Sequence, residues 1–316
     1  MKLLTAFFRL IRWPNLVFIV VTQLLFYYCI VMPLLSDTPA VQQWFFIGLL
    51  SLASVLIAAA GYIINDYFDL NIDRVNKPDR LVVEKIIKRR WTIIWHWGLS
   101  FAGICIGIYL SFKQGQWLIA VINAICVVLL WFYSATFKKK LLSGNIIISL
   151  LTAWVILVIF VYMVSFPTAA IPGWGYADFK FNAAKLFKLS VVYAGFAFII
   201  SLIREVIKDM EDMEGDARYG CRTMPIVWGI PAAKVFTAVW LIVLTGALII
   251  LQFYALHLGW WWSVAYAVLT LIIPLLWILR KLYTAQVAKD YHLLSTAVKA
   301  VMLAGILSMI FFKIYT

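Results

Sequence analysis

Residues Trp44–Asp73 read WFFIGLLSLASVLIAAAGYIINDYFDLNID: twenty-one residues without a charge, then three aspartates within nine. An uncharged apolar run of that length matches the roughly 20 residues a helix needs to cross the ~30 Å hydrocarbon core of a bilayer. Carboxylates placed directly after such a run cost desolvation, and acids near lipid mark function more often than packing. The chain therefore reads as a membrane protein with chemistry at one end of a span.

Composition supports this from outside the stretch. The 316 residues are 65% hydrophobic and 13% charged, whereas soluble domains run near 45–50% and about 25%. Mean hydropathy is +0.97. A cytosolic globular enzyme, a disordered chain, a secreted disulfide scaffold and a fibre are all excluded. The net charge of +13 invites a nucleic-acid reading, but too little polar surface exists for a duplex-binding face, so no nucleic-acid partner is expected. Cys29, Cys105 and Cys126 fall in apolar runs and Cys221 in a polar segment. None has zinc or disulfide spacing, and all four are expected to be small buried hydrophobes.

Runs of spanning length number nine: Leu16–Leu35, Trp44–Ile64, Trp91–Phe112, Trp117–Thr136, Asn145–Phe166, Leu186–Ile207, Val235–Leu256, Trp260–Leu279 and Leu293–Ile314. Lys2, Arg9 and Arg12 ahead of the first run imitate a signal peptide, but the run is too long for one and no A-x-A-like site follows. The ten-residue alternation of membrane β-strands is absent. Trp44, Trp91, Trp117 and Trp260–Trp262 sit at span ends as an aromatic belt. Gly and Pro within the spans mark kinks or close packing. With the N-terminus inside, 21 of 27 basic residues fall on the inner face, as the positive-inside rule requires. Nine spans then place the C-terminus outside.

Eleven of the fourteen acids lie in two stretches, Asn65–Glu84 and Glu205–Asp216, each following an even-numbered span. Asp66, Asp69 and Asp73 repeat the spacing of Asp209, Asp212 and Asp216 at a displacement of 143 residues. This predicts one membrane domain over 1–316 with four-helix pseudo-repeats at about 10–143 and 144–285, plus a ninth helix at 292–314.

On a helix, offsets of zero, three and seven put three carboxylates within about 60° of arc. Like charges so placed repel, and hard oxygen donors without His or Cys suit Mg²⁺. Mg²⁺ takes one or two carboxylates and fills its other positions with water and substrate phosphate. Two such triads suit a diphosphate bridged to protein by metal. Nearby cations (Arg74, Lys77, Arg80, Lys138–Lys140, Arg204, Lys208, Arg218 and Arg222) would hold phosphate oxygens, although each also serves as a topology signal. Lys299, within a span, faces protein, a cavity or the interface. His292 is expected at the interface, and His96 and His257 show no partner pattern.

NDYFDLNID resembles the first aspartate signature of the UbiA superfamily of intramembrane prenyltransferases, and DMEGD, Asp212–Asp216, resembles its second. RWPN (Arg12–Asn15) and YSATFKK (Tyr133–Lys139) with Gly144-Asn145 resemble further motifs of that family. Arg80–Glu84 departs from the R-P-x-x-x-G-like turn common after the first motif. Within the superfamily, the second motif most resembles the branch making digeranylgeranylglyceryl phosphate.

The resemblance implies an all-α fold of nine helices around a central cavity. It implies two Mg²⁺ ions: one held by Asn65, Asp66, Asp69 and Asp73, the other by Asp209, Asp212 and Asp216. Asp69, Asp73, Asp212 and Asp216 would be the catalytic acids, and Arg74, Lys77, Lys138, Lys208 and Arg222 would contact diphosphate. Tyr62, Tyr67, Phe68 and Tyr133 are candidate carbocation-stabilising aromatics. The implied reaction is ionisation of an allylic diphosphate and capture of the carbocation by an acceptor, geranylgeranylglyceryl phosphate or an aromatic of a quinone pathway. A secondary transporter is the alternative of a different class; both triads at one membrane face count against it. No obligate protein partner is implied beyond the bilayer.

Overall fold

The computed structural model describes residues 2–34, 44–76, 78, 81–164 and 176–315. Nine helices among the described residues are long and apolar enough to span a membrane: Trp13–Leu34, Trp44–Asn76, Arg89–Lys113, Leu118–Ala135, Ser143–Val164, Ala183–Glu211, Gly229–His257, Trp261–Thr284 and Ala288–Tyr315. They are numbered one to nine below. Each contains the centre of an apolar run read from sequence. No strand forms among the described residues; Val83 and Ile87 make one isolated bridge.

The helices outrun the apolar segments where the acids lie. Helix Trp44–Asn76 has 33 residues, about 50 Å at 1.5 Å per residue, well beyond a hydrocarbon core. Its last dozen residues carry the first triad beyond the uncharged apolar segment. Helix Tyr176–Glu211, with 36 residues, does the same for Asp209. Proline explains two local widenings. The π-turns Tyr27–Val31 and Val268–Ile272 each precede a proline, Pro33 and Pro274. A proline ring crowds the carbonyl four residues earlier and removes one hydrogen bond, so the helix takes an extra residue per turn there.

The chain forms two compact units, Met1–Phe137 with Trp154–Val192, and Lys138–Ala153 with Tyr193–Thr316. In the first, Trp44–Asn76 is the central helix and packs on the first, third and fourth spans. Gly103 permits one such approach: a Cβ there would stand 2.7 Å from Ile57. A short N-terminal helix, Lys2–Leu10, buries Ala6 and Leu10 with Ile63, Leu70, Val82, Val83 and Ile87. The second unit has its own core, in which Ile203, Val206, Ile207 and Met210 meet Leu275, Ile278, Leu294 and Val298.

One expectation is corrected. Cys105 is exposed while Cys29, Cys126 and Cys221 are buried. An apolar run does not separate helix faces turned to lipid from those turned to protein, because both are equally apolar.

Candidate active site

In the first unit all three aspartates of the triad lie on one unbroken helix, Trp44–Asn76. They are not equivalent. Asp69 is buried and accepts a 2.6 Å hydrogen bond from Asn65 Nδ2, one turn earlier. Asp66, half-buried, accepts from Arg12 Nη2 at 2.7 Å. Arg12 heads the first span in the left-handed region, φ 51°, and its guanidinium also lies 5.1 Å from the Tyr62 ring centre. Burial pulls the Arg12 pKa down, but the charge of Asp66, aided by Tyr62 and Asp73, raises it on balance. Asp73 is half-buried at the next turn.

Arg74 pairs with Glu84 at 2.7 Å, both well exposed. Glu84 itself sits at φ 65°, in a turn closed by its N–H on Ile87 O at 2.8 Å. The stretch that departs from the family's turn is thus an apolar plug, Val82, Val83 and Ile87, held under the N-terminal helix. An exposed pair of this kind contributes about 0–1 kcal/mol, so Arg74 can exchange it for another anion. Lys77, Asp79 and Arg80 lie outside the described residues. Among the aromatics, one face of Tyr67 is taken by Arg89, 4.2 Å from the ring centre. Phe68 makes edge contacts with Tyr67 and Trp131. Tyr62 and Tyr67 therefore already serve arginines.

The second triad departs from the single-arc expectation. Helix Tyr176–Glu211 ends one residue before Asp212, whose φ −95°, ψ 7° bends the chain into the short helix Met213–Arg218. Asp212 N–H still donates to Lys208 O at 2.8 Å and Asp216 N–H to Asp212 O at 3.2 Å, so the backbone ladder continues through the bend that separates Asp209 from Asp216. Bridge-region backbone of this kind is common at active sites. Gly220, at φ 72°, ends the short helix, and Cys221 N–H returns to Asp216 O at 2.9 Å. Asp216 is buried.

Asp209 accepts a hydrogen bond from Asn145 Nδ2 at 2.8 Å. Glu205 accepts from Lys208 Nζ and Arg204 Nη1, each at 3.1 Å. Lys138 acts electrostatically on both Glu205 and Asp209. Arg222 N–H donates to Lys139 O at 2.8 Å, tying the segment after the second triad to the lysine turn. The structure thus gathers Lys138, Lys208 and Asp209, and leaves the Arg222 side chain exposed. Sequence reasoning missed Glu205 and the partners of Glu211, which receives Ser295 Oγ at 3.3 Å and meets His292 Nδ1 at 2.8 Å. His96 also has a partner: it is buried, with Nδ1 3.0 Å from Ala60 O. Only antiparallel packing of distant helices reveals such pairs.

Among the described residues no three His, Cys, Asp or Glu side chains close on one point as a metal cage. The donor set fits Mg²⁺ nonetheless. It is all oxygen, and Mg²⁺ needs only one or two carboxylates with water and phosphate completing the octahedron.

Apolar helices of spanning length, with amide- and cation-held aspartates at their polar ends, define an integral membrane protein. Residues 19–309 match the UbiA prenyltransferase family. The chain belongs to that family and is an enzyme that transfers prenyl groups.

Digeranylgeranylglyceryl phosphate synthase of Methanosphaera stadtmanae is 27% identical over 267 residues, 82% of this chain and 84% of the relative. The protein of that name from Methanothermobacter thermautotrophicus is 31% identical over 197 residues, 61% of this chain and 60% of the relative's length. Two solved structures share the fold. One, described as digeranylgeranylglyceryl phosphate synthase in membranes, has TM-score 0.62 at 23% identity, covering 98% of this chain and 99% of the other. The second is a UbiA homolog from Archaeoglobus fulgidus bound to GPP and Mg²⁺, with TM-score 0.54 at 13% identity over 96% of this chain and 99% of the other.

Proposed function

We propose that this enzyme transfers a geranylgeranyl group from geranylgeranyl diphosphate to geranylgeranylglyceryl phosphate, with Mg²⁺ held at both aspartate stretches and both stretches on the cytoplasmic side. The observation that carries this reading is the pair of amide-oriented acids at the polar ends of long apolar helices, Asn65 on Asp69 and Asn145 on Asp209. The names of the archaeal relatives support the acceptor, and the ligands of the Archaeoglobus fulgidus homolog support the donor class and the metal. The repeated spacing is read as two copies of one four-helix unit.

In this reading Asp66, Asp69 and Asp73, and Asp209, Asp212 and Asp216, hold the ions. Bound Mg²⁺ supplies positive charge to the departing diphosphate. The chain's own part is threefold. Asn65 and Asn145 fix one oxygen of each partner carboxylate and so orient the other. Lys138 and Lys208, with Arg74, Lys77 and Arg222, neutralise phosphate oxygens as charge develops on them. The apolar helices keep water from the allylic cation until the acceptor hydroxyl oxygen attacks it, forming the ether C–O bond as the hydroxyl proton passes to the released diphosphate.

The deciding assay supplies radiolabelled geranylgeranyl diphosphate with either geranylgeranylglyceryl phosphate or 4-hydroxybenzoate in detergent. Label is expected in the ether lipid. Turnover of the aromatic acid alone would replace this reading with the quinone-pathway one, and diphosphate-independent transport in proteoliposomes would replace the class.

A further inference from the structure

Six of the fourteen acids lie within Glu205–Asp216. The repeated spacing selects Asp209, Asp212 and Asp216 and leaves Glu211 without a task. Glu211 is the last residue of the helix Tyr176–Glu211. A carboxylate there opposes the partial negative charge of the helix end, and Asp212 beside it adds like charge. A position so unfavourable within its own helix has to be answered from outside it.

The ninth span supplies the answer. It runs antiparallel to the sixth: a Cβ on Gly305 would touch the Phe196 ring, the Tyr193 hydroxyl lies 3.5 Å from Ser308 Oγ, and at the other end Glu211 meets the early turns of Ala288–Tyr315. Glu211 Oε1 lies 2.8 Å from His292 Nδ1, and Oε2 accepts from Ser295 Oγ at 3.3 Å. A carboxylate oxygen only accepts, so Nδ1 carries the proton of the first bond. His292 and Ser295, three residues apart, share one helix face. The Ser295 hydroxyl also lies 3.0 Å from His292 O and divides its one proton between two acceptors, so the imidazole is the firmer hold. The start of the ninth helix, its positive end, favours the carboxylate that the end of the sixth disfavours. Met210, one residue earlier, is buried in the core that contains Leu294 and Val298.

Both carboxylate oxygens of Glu211 are thus committed to the ninth span. The next residue is Asp212, where φ −95° and ψ 7° take the chain out of the helix. Glu211 anchors the near side of that bend. Cys221 N–H on Asp216 O and Arg222 N–H on Lys139 O anchor the far side. Asp212 and Asp216 lie on the segment between the two anchors.

We propose that Glu211 is a positioning residue for the second aspartate stretch. Clamped by His292 and Ser295, it sets how the segment bearing Asp212 and Asp216 leaves the sixth span, and it is not itself a metal ligand. The proposal rests on the reading that Asp212 and Asp216 hold Mg²⁺ and adds the residues that aim them. The ninth span, which carries none of the six aspartates, thereby takes part in the site.

The test begins without catalysis, so that it stands apart from the choice of reaction. Full-length protein lacking its native cysteines, in detergent with chelator, carries a nitroxide at position 218, the exposed end of the short helix Met213–Arg218. Glu211→Ala and His292→Ala should each make the label more mobile, with melting temperature confirming that the variants fold. Glu211→Gln should leave mobility as it was, because its amide oxygen still accepts from His292 and its amide N–H can donate to Ser295. Unchanged mobility in Glu211→Ala overturns the clamp; should that variant not fold, His292→Ala decides. Turnover gives the second readout. Glu211→Ala should raise the half-saturating Mg²⁺ about tenfold, and His292→Ala should do the same. The double variant should go no further, since each change removes the same contact; effects that multiply overturn the pairing. Glu211→Gln should recover most of the lost Mg²⁺ affinity. A loss as deep as that of Glu211→Ala would make the charge of Glu211 essential, as for a metal ligand, and overturn the proposal. Wild-type turnover in Asp212→Asn would defeat the metal reading, while label mobility would still judge the clamp.

Discussion

Asn145 Nδ2 donates to Asp209 Oδ2 at 2.8 Å across 64 residues of chain. The bond joins the start of the fifth span to the end of the sixth and leaves the other carboxylate oxygen of Asp209 for a ligand. Within one helix of the first unit, Asn65 Nδ2 likewise donates to Asp69 Oδ2, at 2.6 Å. An amide is suited to this task because it fixes an orientation without adding charge beside a carboxylate that has to hold a cation.

If Asn145 is a positioning residue, Asn145→Ala should reduce turnover about 10- to 100-fold, the range found for partners of metal ligands. The loss should appear as a raised Mg²⁺ requirement, with partial rescue at high Mg²⁺. A Mg²⁺ titration of initial rate checks this; a fall in rate with the half-saturating Mg²⁺ unchanged would speak for a structural role alone.

Asp69→Asn and Asp212→Asn should each abolish turnover and leave the protein folded. Asn keeps the volume and one acceptor oxygen but lacks the charge that holds a hard cation. At Asp69 the new amide faces that of Asn65, so a small drop in melting temperature is expected there and none at Asp212. Asp79→Asn, outside the repeated spacing, should cost little. Chelator should silence the wild type, and added Mg²⁺ should restore it. Wild-type rates in either variant would end the assignment.

Packing between the sixth and ninth spans is testable at Gly305, where a Cβ would stand 2.5 Å from Phe196 Cε1. Gly305→Val should lower stability by about 1–3 kcal/mol, the usual cost of overpacking, and Phe196→Ala should restore part of it. Gly48, where a Cβ meets nothing within 4 Å, is the control, and Gly48→Ala should be neutral or mildly stabilising. Thermal denaturation in detergent separates the two. An equal effect at both positions would refute the close approach at Gly305.

Topology follows from charge. In a background lacking the native cysteines, Cys105 among them because it is exposed, single cysteines at 79 and 218 should react from the same side of sealed vesicles, the cytoplasmic one. Labelling from opposite sides would break the positive-inside assignment and with it the shared role of the two aspartate stretches.

Apolar length and acid spacing are local properties, and the sequence by itself determined what depends on them. The nine helices of spanning length among the described residues and the ends at which the acids sit follow from residue order, because a bilayer admits few structures and a carboxylate advertises itself against Leu and Val. The bend at Asp212 did not follow, since 3.6-residue periodicity assumes an unbroken helix. Nor did the exposure of Cys105, because lipid and protein interior are equally apolar. Only the tertiary structure decided which side chains meet across helices: Arg12 with Asp66, Asn145 with Asp209, Glu211 with His292. Those pairings depend on the register of helices far apart in the chain, which the packing of residues such as Gly305 on Phe196 sets and which no local pattern encodes.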